Sequence, residues 1–442
     1  MKSTLLRILK WSIALSLLFF ISSCKDKPEQ KNSTYIDIAG ALDKGRVVQL
    51  SEVADEVILV PLETNDSSMI GNLAGARNFV IYENGLFYIM DSSRSIWIFD
   101  KNGKFIRKFN RKGRGPEEYI NVSNFEVDPE TGEIIVLSLD GKFYEYRQDG
   151  SFIRRVDPPV IEGVPAQIHA GYKIDDNIYI CTVESEPDFE NKKINDPYKG
   201  ICAITFDSLS NLTSKIYPPE FISGSSAGKG NLVFMTNPGE GFVMAFSAVN
   251  ANLFRYRDNI RIRYDYEDII NSVDKRLEPD TAYTINFGEY RATRENYGKA
   301  WDFSSNIISL IGLTESTNYL YFWLNLRGLA RDPIEVAGVD MEGRPSKRKI
   351  CNSYALFNKK TGEFTLMDRP AGDQMGFKDD ISGGLVFWPK YISSKDILVA
   401  PYTALEFIEF AENNNVPEKI RKIAEHLDEN DNPVIALVKL KK

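Results

Sequence analysis

Residues 85–105, GLFYIMDSSRSIWIFDKNGKF, and residues 132–152, GEIIVLSLDGKFYEYRQDGSF, align without a gap at an offset of 47 positions. Gly85, Tyr88, Trp97, Phe99, Gly103 and Phe105 fall on Gly132, Ile135, Tyr144, Tyr146, Gly150 and Phe152. Each unit is an apolar run, a polar break, an alternating aromatic run, and a turn that ends in Gly before Phe. A period of two sends successive side chains to opposite faces of a strand, and Asn84-Gly85 supplies the positive φ that a tight hairpin turn needs. A unit of about 40–50 residues made only of strands predicts an all-β fold of β-propeller type, in which four-stranded blades pack side by side around an axis.

Outward from this pair the pattern loosens. Residues 57–62 read as a strand ahead of the first unit. Residues 177–182 and 201–206 read as strands around an acidic, Pro-containing insertion, 184–200. Residues 241–245 and 253–256 suggest a fourth blade followed by a charged excursion, 257–280, and residues 319–324 and 353–357 a fifth. Residues 385–388 and 397–401 open the last. Helical spacing over 404–411 and 417–427 predicts two short helices, and the β-branched run 434–440 a terminal strand that closes the ring and removes an exposed edge.

Before the repeats lies an address. Lys2, Arg7 and Lys10 precede an apolar core, residues 11–21, that is too short to span a bilayer as a helix and so reads as a signal segment. It ends in Ile21-Ser22-Ser23-Cys24, which resembles the lipobox of bacterial lipoproteins and implies a lipid-bearing Cys24 at the mature N-terminus. The expected organisation is a lipoprotein signal peptide, 1–23, a lipidated N-terminus and flexible tether, 24–44, and a propeller domain, 45–442. Lys25 after the cysteine carries no inner-membrane retention cue, so the expected location is the bacterial envelope at the outer membrane. Loss of residues 1–23 removes three positive charges and moves the formal net charge from -8 to -11, which argues against nucleic acid as a partner. Cys181, Cys202 and Cys351 lack metal-type spacing; Cys181 and Cys202 are placed to pair across neighbouring strands or to serve as small buried apolar residues.

Few motifs carry chemistry. Gly113-Arg114-Gly115-Pro116-Glu117-Glu118-Tyr119 is the most distinctive. With Arg111, Lys112 and Arg114 it forms a candidate ligand-face loop, its backbone N–H groups making an anion nest. The alternative is a tight crossover between blades, stiffened by Pro116 and anchored by Tyr119. Gly224-Ser225-Ser226-Ala227-Gly228, with Asp396 and His426 downstream, matches a nucleophile elbow in order, yet no helical pattern follows Ser226. Asp428, Asn430 and Asn432 begin like a calcium loop, but Pro433 replaces the required Gly and Lys439 the bidentate Glu. With only His169 and His426, a multi-His metal centre is excluded, and no metal or other cofactor is predicted.

The ordered set Ile58-Leu59-Val60-Pro61-Leu62-Glu63-Thr64, Phe99 to Phe105, the 113–119 motif and Asp431-Asn432-Pro433-Val434 resembles the bacterial six-bladed β-propeller lipoprotein family, relatives of NHL-repeat propellers. The resemblance covers roughly residues 45–440 and supplies the number six. It implies an envelope protein that binds something. The expected function is a membrane-tethered binding or scaffolding module for a protein, peptide or glycan. The alternative is a hydrolase or lactonase-like propeller with a carboxylate-lined central site holding Ca²⁺.

Overall fold

The computed structural model describes residues 34–73, 79–183, 186–188, 193–195, 197–218, 232–236, 243–247, 251–264, 267–293, 296, 305–339 and 344–441. Their architecture is nearly all-β and β-propeller-like. Sheet I runs Val80–Glu83, Leu86–Met90, Ile96–Asp100, Phe105–Phe109, and sheet II Val122–Val127, Ile134–Ser138, Phe143–Tyr146, Phe152–Val156. Sheet III runs Ile168–Asp175, Ile178–Val183, Ala203–Asp207, Leu212–Ile216, and sheet IV Ala251–Tyr256, Asn259–Tyr264, Ile269–Val273, Asp280–Asn286. Sheet V runs Ser309–Glu315, Tyr319–Asn325, Asn352–Asn358, Phe364–Met367, and sheet VI Tyr391–Ile392, Ile397–Tyr402, Val434–Leu440, Ala54–Pro61. The first strand of each sheet lies against the first strand of the next, and that of sheet VI returns to that of sheet I.

The hydrophobic core is divided in the same cyclic way. Alternate residues of one strand face opposite neighbours: Tyr88 and Met90 pack toward sheet II, whereas Phe87 and Ile89 pack toward sheet VI. The repeat preserves this assignment, since Ile135, the counterpart of Tyr88, packs forward onto sheet III, and Tyr144, the counterpart of Trp97, packs back onto sheet I. Further clusters join III to IV, IV to V and V to VI. At about 1.5–3 kcal/mol for each large apolar side chain fully buried, packing between sheets holds the ring together, rather than anything within one sheet.

Several expectations are corrected. Residues 257–280 are not an excursion: they supply the second and third strands of sheet IV and open its fourth at Asp280. Residues 243–245 fall instead on a separate two-stranded sheet, Leu232–Thr236 with Val243–Ser247. Residues 385–388 form no strand, only an isolated bridge from Phe387 to Phe377. Tyr35–Asp37, assigned to the tether, pairs in parallel with Asp280–Asn286 as a fifth strand of sheet IV. The C-terminal strand pairs into sheet VI as expected, but it does not take the edge of that sheet. It is third in line, and the outermost position is taken by Ala54–Pro61 from the other end of the chain. Helices α1 (Ala404–Asn413), capped by Thr403 and Glu406, and α2 (Glu418–Ala424) stand between the second and third strands of this sheet as expected.

The two repeated glycines differ in what surrounds them. Both need a left-handed backbone, with φ of +81° at Gly103 and +86° at Gly150. A Cβ on Gly103 would also meet the Pro61 carbonyl oxygen at 2.2 Å, while one on Gly150 would come no closer than 3.6 Å to any heavy atom. Gly150→Ala is expected to cost about 1 kcal/mol and Gly103→Ala about 2–3 kcal/mol. Urea midpoints of the two variants measure the difference, and equal losses would contradict it.

Candidate functional site

The crossover from sheet I to sheet II carries the 113–119 motif and borders a groove of about 530 Å³. Tyr119 fixes the loop: its ring is fully buried, its hydroxyl accepts the Arg111 N–H at 3.0 Å, and its carbonyl accepts the Gly113 N–H at 3.0 Å. The anion nest is filled from within. The Gly115 N–H donates to Glu118 Oε2 at 2.9 Å, and a Cβ on Gly113 would lie 1.8 Å from the same oxygen. These glycines therefore make room for an internal carboxylate, which the spacing of Glu118 from Gly115 was sufficient to suggest. Arg111 also leaves the groove, donating to the Gly150 carbonyl at 2.9 Å. Lys112 and Arg114 do line it, together with Lys142 and Arg155 from sheet II.

Asp140 and Lys142 form an ion pair of 2.9 Å on the groove wall. Burial would raise Asp140, but the neighbouring Ser138 hydroxyl and the Lys142 ammonium outweigh it and hold the carboxyl below its usual range; Asp140 in turn raises Lys142. Arg155 pairs with Asp157 at 3.1 Å. Tyr144 floors the groove and Ile120 stands 53 % exposed beside it.

A second polar region, not foreseen from the sequence, lies where inner strands end. Glu83 accepts from Tyr391 Oη at 2.8 Å and from the Ser394 N–H and hydroxyl at 2.7 and 2.6 Å. Glu126 receives Arg255 at 2.7 Å and the Lys173 N–H at 2.7 Å, so the successive sheets II, III and IV are tied together. Glu315 receives Arg261 at 2.7 Å, Tyr283 at 2.8 Å and Lys359 at 2.6 Å. Glu145 of sheet II is engaged by Lys173 at 3.1 Å and by Tyr179. Burial, and then the neighbouring Glu83, push the Tyr391 phenol well above its ordinary value, so it remains a donor. Each carboxylate is engaged by two or more donors, at least one of them from another sheet. They act as ties between sheets.

The remaining sequence candidates lie elsewhere in the chain. Cys24, Ser226 and the 224–228 motif lie outside the described residues. Asp396 accepts the Thr317 N–H at 2.9 Å, and His426 is exposed on the turn after α2 with Nδ1 2.7 Å from the Lys422 carbonyl. Asn432 of the calcium-like stretch is buried, donating to the Glu63 and Ser68 carbonyls and accepting the Ile70 N–H at 2.8 Å. His169 lies in the first strand of sheet III. Cys181, Cys202 and Cys351 are buried free thiols, and burial raises all three.

Comparison with known proteins supplies a family and a fold. No curated protein matches the sequence. A crystallised protein of Bacteroides fragilis described as exported is 18% identical, with a TM-score of 0.62 over 92% of this chain and 100% of that one. A member of the DUF4221 family from Bacteroides vulgatus is 14% identical, with a TM-score of 0.46 over 88% of this chain and 97% of that one. The first is a likeness of fold. Residues 33–439 match the family model described as Domain of unknown function (DUF4934), a span that takes in all six sheets. The chain belongs to the DUF4934 family.

Proposed function

We propose that this protein is a six-bladed β-propeller lipoprotein of the bacterial outer membrane, anchored through Cys24, whose rigid ring is a binding or scaffolding module for a protein, peptide or glycan. Six sheets of four or more strands among the described residues, with one apolar interface for each neighbouring pair, favour the blade number. The signal-like segment 1–23 and the likeness to an exported Bacteroides protein favour the envelope. The observation that carries the binding role is the contrast between the two polar regions. The carboxylates at the inner-strand ends are consumed by internal donors, whereas the crossover loop holds Lys112 and Arg114 out at a groove. A rigid scaffold that presents loops is the usual arrangement for recognition.

The anchor is tested by Cys24→Ala, which is expected to move the protein from the membrane to the soluble fraction; persistent membrane association would overturn it. Photo-crosslinkers placed on both faces of the ring in intact cells test the binding role. Adducts confined to one face support it, and none from either face of correctly localised protein would reject it.

A further inference from the structure

We propose that the groove beside the sheet I to sheet II crossover binds an acidic polypeptide segment in extended form. This rests on the reading of the ring as a binding module and names the partner's chemistry. Within a chain of formal net charge -8, the groove gathers Lys112, Arg114, Lys142 and Arg155 against Glu118 and Asp140. Asp140 pairs with Lys142 through Oδ2, Arg155 with Asp157, and Glu118 accepts the Gly115 N–H, so the unpaired charge at the groove lies on Lys112 and Arg114. Lys112 and Arg114 are exposed and form no ion pair with a described residue.

Three features favour a peptide over a compact anion or a glycan. The cations stand on two walls, the crossover loop and the strands of sheet II, across about 530 Å³, which suits several spaced carboxylates better than one ion. Ile120, 53 % exposed, offers an apolar contact for a side chain between the acids. Arg155 sits on Phe152–Val156, the outer strand of sheet II, which pairs only with Phe143–Tyr146 among the described residues. Among the described residues no strand pairs with its other edge, which could take main-chain hydrogen bonds from an added strand, and the arginines suit carboxylates through paired N–H donors.

The test uses the full-length lipidated protein in detergent and a short fluorescent peptide alternating Asp or Glu with Leu. The probe is compared with its Asn/Gln analogue and with a polyuronate of equal charge. The acidic peptide is expected to bind, more weakly as salt rises, and K112E/R114E to lose roughly tenfold or more in affinity. K347E/K360E, with the same change in net charge on distant turns and hairpins, is expected to bind as the parent does, and unchanged melting of both variants checks folding. Equal binding of the amide analogue, preference for the polyuronate, undiminished binding by K112E/R114E, or no binding at all would overturn the proposal. Crosslinks from another face in the absence of peptide binding would sink the groove alone and leave the module standing; absence of adducts from every face would sink the module.

Discussion

Deletion of residues 34–62 is expected to abolish cooperative folding of the whole ring, although it removes only an N-terminal stretch. Ala54–Pro61 is the outermost strand of sheet VI and pairs from Ala54 opposite Leu440 to Pro61 opposite Val434. Its two faces serve two interfaces: Val57 and Leu59 pack between sheets V and VI, and Val60, with Leu62 just beyond the strand, between sheets VI and I. Val48, Leu50 and Val53 are buried ahead of it. Loss of these side chains at about 1.5–3 kcal/mol each is comparable with the ~5–15 kcal/mol that stabilises a typical domain. Three of the four motifs that carry the family resemblance, 58–64, 99–105 and 431–434, meet at this junction. Glu63 accepts the Phe105 N–H at 2.9 Å, its own N–H donates to the Gly103 carbonyl at 2.8 Å, and Asn432 joins the 63–70 turn to the start of Val434–Leu440. The deletion would also leave Val434–Leu440 as an unpaired apolar edge, so aggregation is expected. Thermal melting by circular dichroism and gel filtration read the outcome, with deletion of residues 25–33 as control. A monomeric protein melting within a few degrees of the parent would show that the ring closes without this strand.

Sheets I and II were legible in the sequence because alternation and turn glycines are intact there. Sheet IV was not, for a physical reason. Its second strand, Asn259–Tyr264, alternates Ile260, Ile262 and Tyr264, buried toward sheet III, with Arg261 and Arg263, also buried. Arg261 is committed to Glu315 of sheet V at 2.7 Å. Buried charge in a strand has the composition of a solvated loop, and only the partner, 54 residues on, reveals the difference. The apolar run 385–388 misled in the opposite sense. Leu385 and Phe387 fill the V–VI cluster from a loop, so their hydrophobicity reports burial and not a strand. The glycines of the 113–119 motif fit an external anion and an internal carboxylate equally well, and Glu118 decides between them. Glu83 and Glu126 stand 43 residues apart, off the 47-residue register, so the repeat does not align them as a set.

Glu315→Gln is expected to destabilise the protein by about 3–5 kcal/mol, because it strands cations that have been taken out of water. The side chain is fully buried and meets Arg261, Lys359 and Tyr283 between sheets IV and V. Burial alone would raise the carboxyl, but the Arg261 hydrogen bond and the charge of Lys359 outweigh it, so Glu315 lies below its ordinary value of 4.5. Burial also pulls Lys359 below its ordinary value, against the attraction of Glu315. The two partners thus speak differently for the pair, and the carboxylate decides, since a second cation and a phenol also converge on it. A carboxyl whose folded pKa is depressed contributes stability that is complete above its unfolded pKa and is lost as pH falls through the folded one. The gap between parent and variant is therefore expected to be widest near neutrality and to narrow below about pH 4.5, as Glu315 in the parent takes up a proton and comes to resemble the amide. Urea denaturation of both proteins between about pH 7 and about pH 3 reads this directly. A gap that stayed constant over that range would mean that Glu315 is not ionised in the native ring, and the tie between sheets IV and V would then be one of neutral hydrogen bonds.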